Sequence, residues 1–240
     1  MARKPPPLAF MVSASVFATG LSLAHSLYTR GPRNTLIFLV LGVGMSAVGE
    51  HVVVNVLKLV RHHTGPQLKG LPLSMIFGWY NFIYATYALL ESWWIRQGLE
   101  EGTLLWVLPL STMVIATSFD LLIDCFGLDA GLWEWHSDSV YAAEITGPNG
   151  RRGVPLANFI LWLVLGSGIS LFYLLLARAT GPGAFSGGAA GSETALTTAI
   201  LLLVPYYVLG AGWALFRRRF RYLLYSSPFA LALVVALRSL

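Results

Sequence analysis

The sequence predicts an all-α protein, a polytopic membrane helical bundle of about seven transmembrane helices with a cytoplasmic N terminus. Hydrophobic residues fill 56% of the 240 positions, and charged residues fill only 11%. A soluble domain carries about 25% charged residues, so this chain could not cover a water-facing surface of its size. The composition therefore excludes a soluble enzyme, a disordered chain and a nucleic-acid-binding module.

Apolar runs between the charge clusters define the predicted spans, since a transmembrane helix needs about 20 mostly apolar residues. The runs are 8–28, 34–56, 71–95, 103–124, 154–177, 194–216 and 222–237. The first is too long for the core of a signal peptide and is kept as a helix. Ser226-Ser227-Pro228 interrupts the seventh, which fits either a short tilted span or an interfacial helix. Residues 1–240 are expected to form a single integral membrane domain.

The lysines and arginines predict the orientation, because positive charge is retained in the cytoplasm. Alternating spans place eleven of the sixteen on the N-terminal side and five on the other. The eleven are Arg3, Lys4, Lys58, Arg61, Lys69, Arg151, Arg152, Arg217, Arg218, Arg219 and Arg221. The five are Arg30, Arg33, Arg96, Arg178 and Arg238. We therefore expect the N terminus to lie in the cytoplasm and the C terminus outside, in the cell (inner) membrane.

Two connections are long. Residues 125–153 are predicted to form a cytoplasmic loop, in which Trp133, Trp135 and Tyr141 suit the headgroup level. Residues 178–193 are rich in Gly, Ser and Ala and are predicted to form a flexible external loop. Cys125 is the single cysteine, which excludes an intramolecular disulfide and a cysteine-based metal site.

Carboxylates inside the predicted spans are candidate functional groups, because a charge at the centre of a membrane helix costs roughly 2.5–3.5 kcal/mol. Asp120 and Asp124 are four residues apart and share one helix face. Both cannot ionise cheaply in a low-dielectric interior, so one is expected to remain protonated as an acid. Glu50 and Asn158 are predicted at the same depth. Glu91 lies near the external side and has no predicted role.

The third span carries an aromatic stripe. Tyr80, Tyr84, Tyr87 and Glu91 recur at intervals of four, three and four, and Trp79 precedes them. One interpretation is a wall for a long apolar ligand, with ring faces that stabilise a cation. The other is an ordinary packed helix interface.

Two weaker patterns concern metal binding and phosphate binding. A His/carboxylate metal site is conceivable from Glu50, His51, Asp120, Asp124 and His136, but the spacing matches no compact ligand motif. Thr146–Gly153 has the glycines of a phosphate-binding turn, but a plain turn explains it better. No metal and no cofactor are predicted.

The segment from Asp120 to Trp162 carries a set of motifs. They are Asp120-Leu-Leu-Ile-Asp124, Gly131-Leu-Trp133-Glu-Trp135, Gly153-Val-Pro155-Leu-Ala-Asn158-Phe159 and Trp162. The set resembles the membrane carotenoid-biosynthesis proteins of the carotenoid hydratase type, which include gamma-carotene and bisanhydrobacterioruberin hydratases. It covers about a third of the chain. The longer segment between Tyr141 and Gly153, and the absence of a glycine before Trp162, depart from the pattern and leave the particular polyene open.

The resemblance implies a cofactor-independent hydro-lyase that adds water to the terminal isoprenoid double bond of a carotenoid. Membrane lipid is the other expected partner, and a complex with other carotenoid-pathway enzymes is left open. Our prediction for the catalytic residues takes Asp120 as the acid, because it lies one turn deeper, with Asp124 orienting the water and Glu50 in support. The residues predicted to bind substrate are Trp79, Tyr80, Tyr84, Trp133, Trp135 and Asn158.

Two other classes of function remain open. An intramembrane prenyltransferase holds Mg²⁺ against a diphosphate with an Asp-x-x-x-Asp pair, but such proteins present two acidic motifs and this chain has one. A non-enzymatic transporter or lipid-binding protein would use the carboxylates as a proton relay, although no inverted repeat is visible.

Overall fold

The computed structural model describes residues 8–180 and 189–237. The helices are α1 (Leu8–His51), α2 (Leu73–Arg96), α3 (Glu101–Ala130), α4 (Leu156–Ala179), α5 (Ala189–Phe216), α6 (Phe220–Tyr225) and α7 (Ser227–Leu237). The strands are β1 (Val60–His62), β2 (Gln67–Leu68), β3 (Leu71–Pro72), β4 (Trp133–Trp135), β5 (Tyr141–Thr146) and β6 (Arg152–Val154). The predicted all-α class is confirmed in that helices dominate. The strands, all in the connections, were not predicted.

The first two predicted spans are continuous in the structure. Helix α1 contains the first span and most of the second, which ends in a π-helix at Val52–Val56. It breaks at Gly31, whose φ of 73° and ψ of 170° are not helical. Pro32 follows and supplies no backbone donor, so the chain resumes as a second arm after the break. Only glycine adopts such a positive φ without strain, which fixes the position of the break.

Three described helical segments are long and apolar enough to cross a membrane: Val12–Val56, Glu101–Ala130 and Leu156–Ala179. Large apolar side chains are exposed on their outer faces, as at Val40, Trp106 and Val164. Contiguous apolar surface of this kind requires a nonaqueous neighbour. Length, composition and exposed faces are consistent with a membrane protein.

The remaining predicted spans differ in detail. Helix α2 is almost entirely buried from Trp79 to Ser92 and therefore contacts protein along most of its length. Helix α3 continues six residues beyond the predicted end, to Ala130. The seventh predicted span is divided at Ser226 into helices of 6 and 11 residues, each shorter than a crossing requires. Seven transmembrane helices are therefore not confirmed. Residues 181–188 of the predicted 178–193 loop lie outside the described residues, and residues 189–193 belong to helix α5 rather than to a loop.

Two connections pack together at one end of the bundle and form what we call the strand cap, residues 57–72 and 131–155. Strand β1 pairs antiparallel with β4, with His62 opposite Trp133 and Val60 opposite Trp135. Strands β5 and β6 form a hairpin, and Asn149 in its turn donates to the carbonyl of Trp135. The predicted loop 125–153 is therefore a folded structure, built by contacts between segments distant in sequence.

The basic run after α5 holds the strand cap. Arg217 contacts Asp129 at 2.8 Å, and Arg219 donates to Glu144 on β5 at 2.8 Å. Arg221 and Tyr222 also contact Glu144. Burial raises the pKa of Glu144, but the hydrogen bonds from Arg221 and Tyr222 outweigh this and lower the pKa to about 2.

Replacing Glu144 with glutamine is expected to lower the thermal midpoint, and the loss should depend on pH. A carboxyl group with a lowered folded pKa stabilises the protein above its unfolded pKa, about 4.3, and this contribution disappears as pH falls through about 2. The difference between wild type and Glu144→Gln should therefore be constant from pH 8 to 6 and shrink below pH 4. Thermal unfolding in detergent measures it, and Asp138→Asn, in an exposed pair with Arg151, is the control. A difference unchanged down to pH 3 would contradict the lowered pKa.

Candidate functional site

The two predicted aspartates lie on the last turns of α3, next to the strand cap, and both are buried. Their charges interact with each other and with that of Glu50 at the end of α1. The structure therefore brings together three carboxyl groups that the sequence places at one depth. One oxygen of Asp120, Oδ2, is buried without a hydrogen-bond partner in the described part of the chain.

Asn158 holds Asp124 in place. Its Nδ2 donates to Asp124 Oδ2 at 2.6 Å, and both side chains are buried. Asn158 lies on the first turn of α4. Pro155, in an extended conformation, is the N-cap residue of that helix. An amide donor on Oδ2 makes that oxygen the acceptor, so Oδ1 is the oxygen that can carry a proton.

Glu50 has a partner that the sequence did not reveal. Nε2 of His62 lies 3.1 Å from Glu50 Oε2, and both side chains are about 95% buried. Strand β1 carries His62, and its pairing with β4 sets the imidazole against Trp133, with ring centroids 6.2 Å apart. No spacing rule indicates this contact, because it depends on a strand pair between two connections.

Four tryptophans surround a small pocket between the bundle and the strand cap. Trp79 on α2 and Trp162 on α4 stack with centroids 3.7 Å apart, while Trp133 and Trp135 come from β4. The cavity volume is about 20 Å³, which is room for about one water molecule. The pocket is lined by Glu50, Val53, Val60, His62, Met75, Trp79, Asp124, Trp133, Trp135, Asn158 and Trp162.

Four of the six residues predicted to bind substrate line this pocket. Trp79, Trp133, Trp135 and Asn158 line it, whereas Tyr84 lies deeper in the core, its hydroxyl 2.6 Å from His25 Nδ1. The sixth, Tyr80, is also buried away from the lining and packs on Tyr84 and on Phe38. The tyrosine stripe thus contributes to a packed helix interface in this structure.

A second buried ionic cluster lies at the other end of α2. Arg30 makes two hydrogen bonds to Glu91, at 2.7 and 3.0 Å, and both side chains have no exposed surface. The guanidinium lies 5.0–5.7 Å from the ring centroids of Tyr84, Tyr87 and Tyr173. Arg30, which the sequence places on the external side, is therefore a buried partner of Glu91, to which the sequence assigns no role.

The residues named for a possible metal site do not lie together around one position. Among residues 8–180 and 189–237, no three His, Cys, Asp or Glu side chains are arranged to hold a metal ion. His51 and His136 are exposed, and the nearest partner of His51 is Asn55, at 3.2 Å. Instead, Asp124 accepts a hydrogen bond from the amide of Asn158, and Glu50 pairs with the imidazole of His62.

Gly127 fixes the position of Trp133. A Cβ atom at Gly127 would lie 1.9 Å from Trp133 Cζ2, so the indole ring rests directly on the backbone of α3. We expect Gly127→Ala to displace the ring and to lower the free energy of unfolding by about 1–3 kcal/mol, as overpacking usually does. Chemical unfolding and tryptophan fluorescence measure the two effects. Gly102→Ala, on the same helix with open space around it, is the matched control. Equal stability of the two variants would contradict this close packing.

Fold and site together define a helical protein with a buried carboxyl and imidazole pocket beneath a strand cap. No family model, curated protein or solved structure matches the chain.

Proposed function

We propose that this protein is an integral membrane hydratase that adds water to the terminal isoprenoid double bond of a carotenoid. The observation that carries the proposal is Asp124, held by Asn158 and facing a buried pocket walled by tryptophans. A proton donor in an apolar, aromatic pocket suits alkene protonation, which needs an acid and a surface that tolerates a cation. The reaction needs no metal or redox cofactor.

The proposed chemistry has two steps. The carboxyl proton of Asp124 adds to the less substituted alkene carbon, and the electron pair of the double bond forms the new C–H bond. The adjacent carbon becomes a tertiary carbocation. Water then forms a C–O bond with that carbon and releases a proton, so the product is a tertiary alcohol and the acid is restored. The indole faces around the pocket would stabilise the cation electrostatically.

The pocket lining supports Asp124, rather than Asp120, as the proton donor. Asp124 lines the pocket, and Asp120 is absent from the lining. With Glu50 nearby, three carboxyl groups share one low-dielectric region, and they cannot all be ionised without a large cost. In this proposal Asp120, one helical turn from Asp124 on the same face of α3, acts through Asp124 and is a positioning residue.

The pocket volume suits the attacking water. At about 20 Å³ it has room for about one water molecule. In this proposal the surrounding side chains move apart to admit the end group of the polyene, while the remaining chain stays among the helices or in lipid. Association with other enzymes of the carotenoid pathway stays a prediction.

We propose that the pocket end of the bundle lies on the cytoplasmic side of the cell (inner) membrane. Lys58, Arg61, Lys69, Arg151 and Arg152 all belong to the strand cap, and positive charge is retained in the cytoplasm. Reporter fusions after Lys69 and after Arg152 should therefore both report the cytoplasmic side, and fusion after Arg96 should report the other. An external signal at either cap position would contradict this orientation.

Expression in hosts that make lycopene or gamma-carotene tests the activity. Mass analysis should find a pigment 18 mass units heavier, and Asp124→Asn at matched protein levels should not form it. Activity should survive EDTA, whereas a Mg²⁺-dependent prenyltransferase would lose it. Unchanged pigments with substrate present would contradict the proposal and favour a transport or lipid-binding function.

A further inference from the structure

We infer that His62, oriented by Glu50, is the base that takes a proton from the attacking water. This inference rests on the proposed hydratase function and names the group that completes its second step. Both side chains line the pocket beside Asp124, so a water between them and the substrate could reach the cation.

The first support is the geometry of the pair. Glu50 Oε2 lies 3.1 Å from Nε2 of His62, and the carboxylate accepts the hydrogen bond when the imidazole carries its proton on Nε2. Nδ1 then has a lone pair that can accept a proton. A carboxylate that fixes the tautomer of a histidine base is the arrangement used by hydrolytic triads.

The second support is the unpartnered Nδ1 atom. It is buried and has no hydrogen-bond partner among the described residues. A buried polar atom without a partner costs stability, and a bound water or a catalytic role is one explanation for its retention. Asp124 already has Asn158, so the water-binding role falls to the one side chain in the lining with an uncommitted basic nitrogen.

His62 and Asp124 together account for every proton in the reaction. When the water oxygen bonds to the cationic carbon, one O–H bond breaks and its proton passes to Nδ1 of His62. Asp124 has by then given its own proton to carbon and is a carboxylate. Transfer from the imidazolium to that carboxylate, through the hydroxyl group or a second water, restores both groups without an outside donor.

The test is a partition experiment in D₂O. A carbocation that is not captured by water loses a proton from a neighbouring carbon and returns to an alkene, which then carries deuterium from the acid. His62→Gln keeps a donor toward Glu50 but has no basic nitrogen. We expect its hydration rate to fall by about 10²-fold, the usual effect of losing a general base, while deuterium still enters the recovered substrate.

The neighbouring histidine provides the matched control. His63 pairs with Glu134 at 3.3 Å and is partly exposed, so His63→Gln should hydrate and exchange like wild type. Glu50→Gln should shift the partition in the same direction as His62→Gln, because the tautomer is no longer fixed. Protein amount and thermal midpoint are measured for each variant, so that loss of fold is separated from loss of the base.

The outcomes are distinct. Hydration at the wild-type rate in His62→Gln overturns the inference, and so does a parallel loss of hydration and deuterium exchange in a folded variant. Either result leaves Asp124 and the hydratase in place. If the wild-type protein neither hydrates nor exchanges, the proposed function fails and this inference fails with it.

Discussion

Replacing Asp124 with asparagine is expected to lower the hydration rate by about 10²-fold or more, the usual loss when a general acid is removed. Asparagine has nearly the same shape and is uncharged, so the pocket should remain intact, but its amide has no acidic proton to transfer. Deuterium exchange into the substrate should disappear together with hydration, since both need the same protonation step. The measurement is pigment turnover in membranes with matched amounts of protein.

Asp120→Asn distinguishes the two aspartates. We expect a smaller loss, because Asp120 does not line the pocket and affects the reaction only through Asp124. The sequence alone favours Asp120 as the acid, and the pocket lining favours Asp124. A larger loss in Asp120→Asn than in Asp124→Asn would restore the first assignment. Wild-type rates in both would remove the aspartates from the chemistry.

Breaking the Arg30–Glu91 pair is expected to destabilise the protein by about 3–5 kcal/mol, the usual cost of leaving one buried charge without its partner. In Arg30→Met the carboxylate of Glu91 loses the guanidinium that donates at 2.7 and 3.0 Å. The contacts of that guanidinium with three tyrosine rings are lost as well. The free energy of unfolding in mixed detergent micelles measures the effect.

The double variant Arg30→Met/Glu91→Leu is the control, because removing both charges often restores stability. Arg30 is about 30 Å from Glu50 along the second arm of α1, at 1.5 Å per residue. Hydration by the folded fraction should therefore be unchanged in both variants. Full stability of Arg30→Met would contradict a structural role for the ion pair.

The parts of the fold that follow from local pattern are predictable from the sequence. Apolar runs locate the helices because hydrophobic periodicity and length are properties of neighbouring residues. The shared depth of Glu50, Asp120, Asp124 and Asn158 follows from the same runs. It correctly groups four residues that the structure brings together.

The other parts of the site depend on contacts that no local pattern contains. His62 reaches Glu50 only because β1 pairs with β4, and strands of three residues give no periodic signal. The sequence places Arg30 in a loop, because Gly31 and Pro32 follow it. In the structure Arg30 lies inside the bundle beside Glu91, at the break in α1. Both contacts join segments far apart in sequence, where the spacing of residues carries no information.

The pairing of β1 with β4 also has a consequence for the timing of water entry. Paired residues of the two strands lie 71–75 positions apart, and the register covers only three residues. The pair packs against the end of α3, where Trp133 rests on Gly127, and a pair this short is able to open by local unfolding while the rest of the fold persists. We expect water exchange with the carboxyl pocket to follow the opening frequency of this pair. In the proposed hydratase that frequency would limit turnover, and amide hydrogen exchange at Arg61 and Glu134 would report it directly.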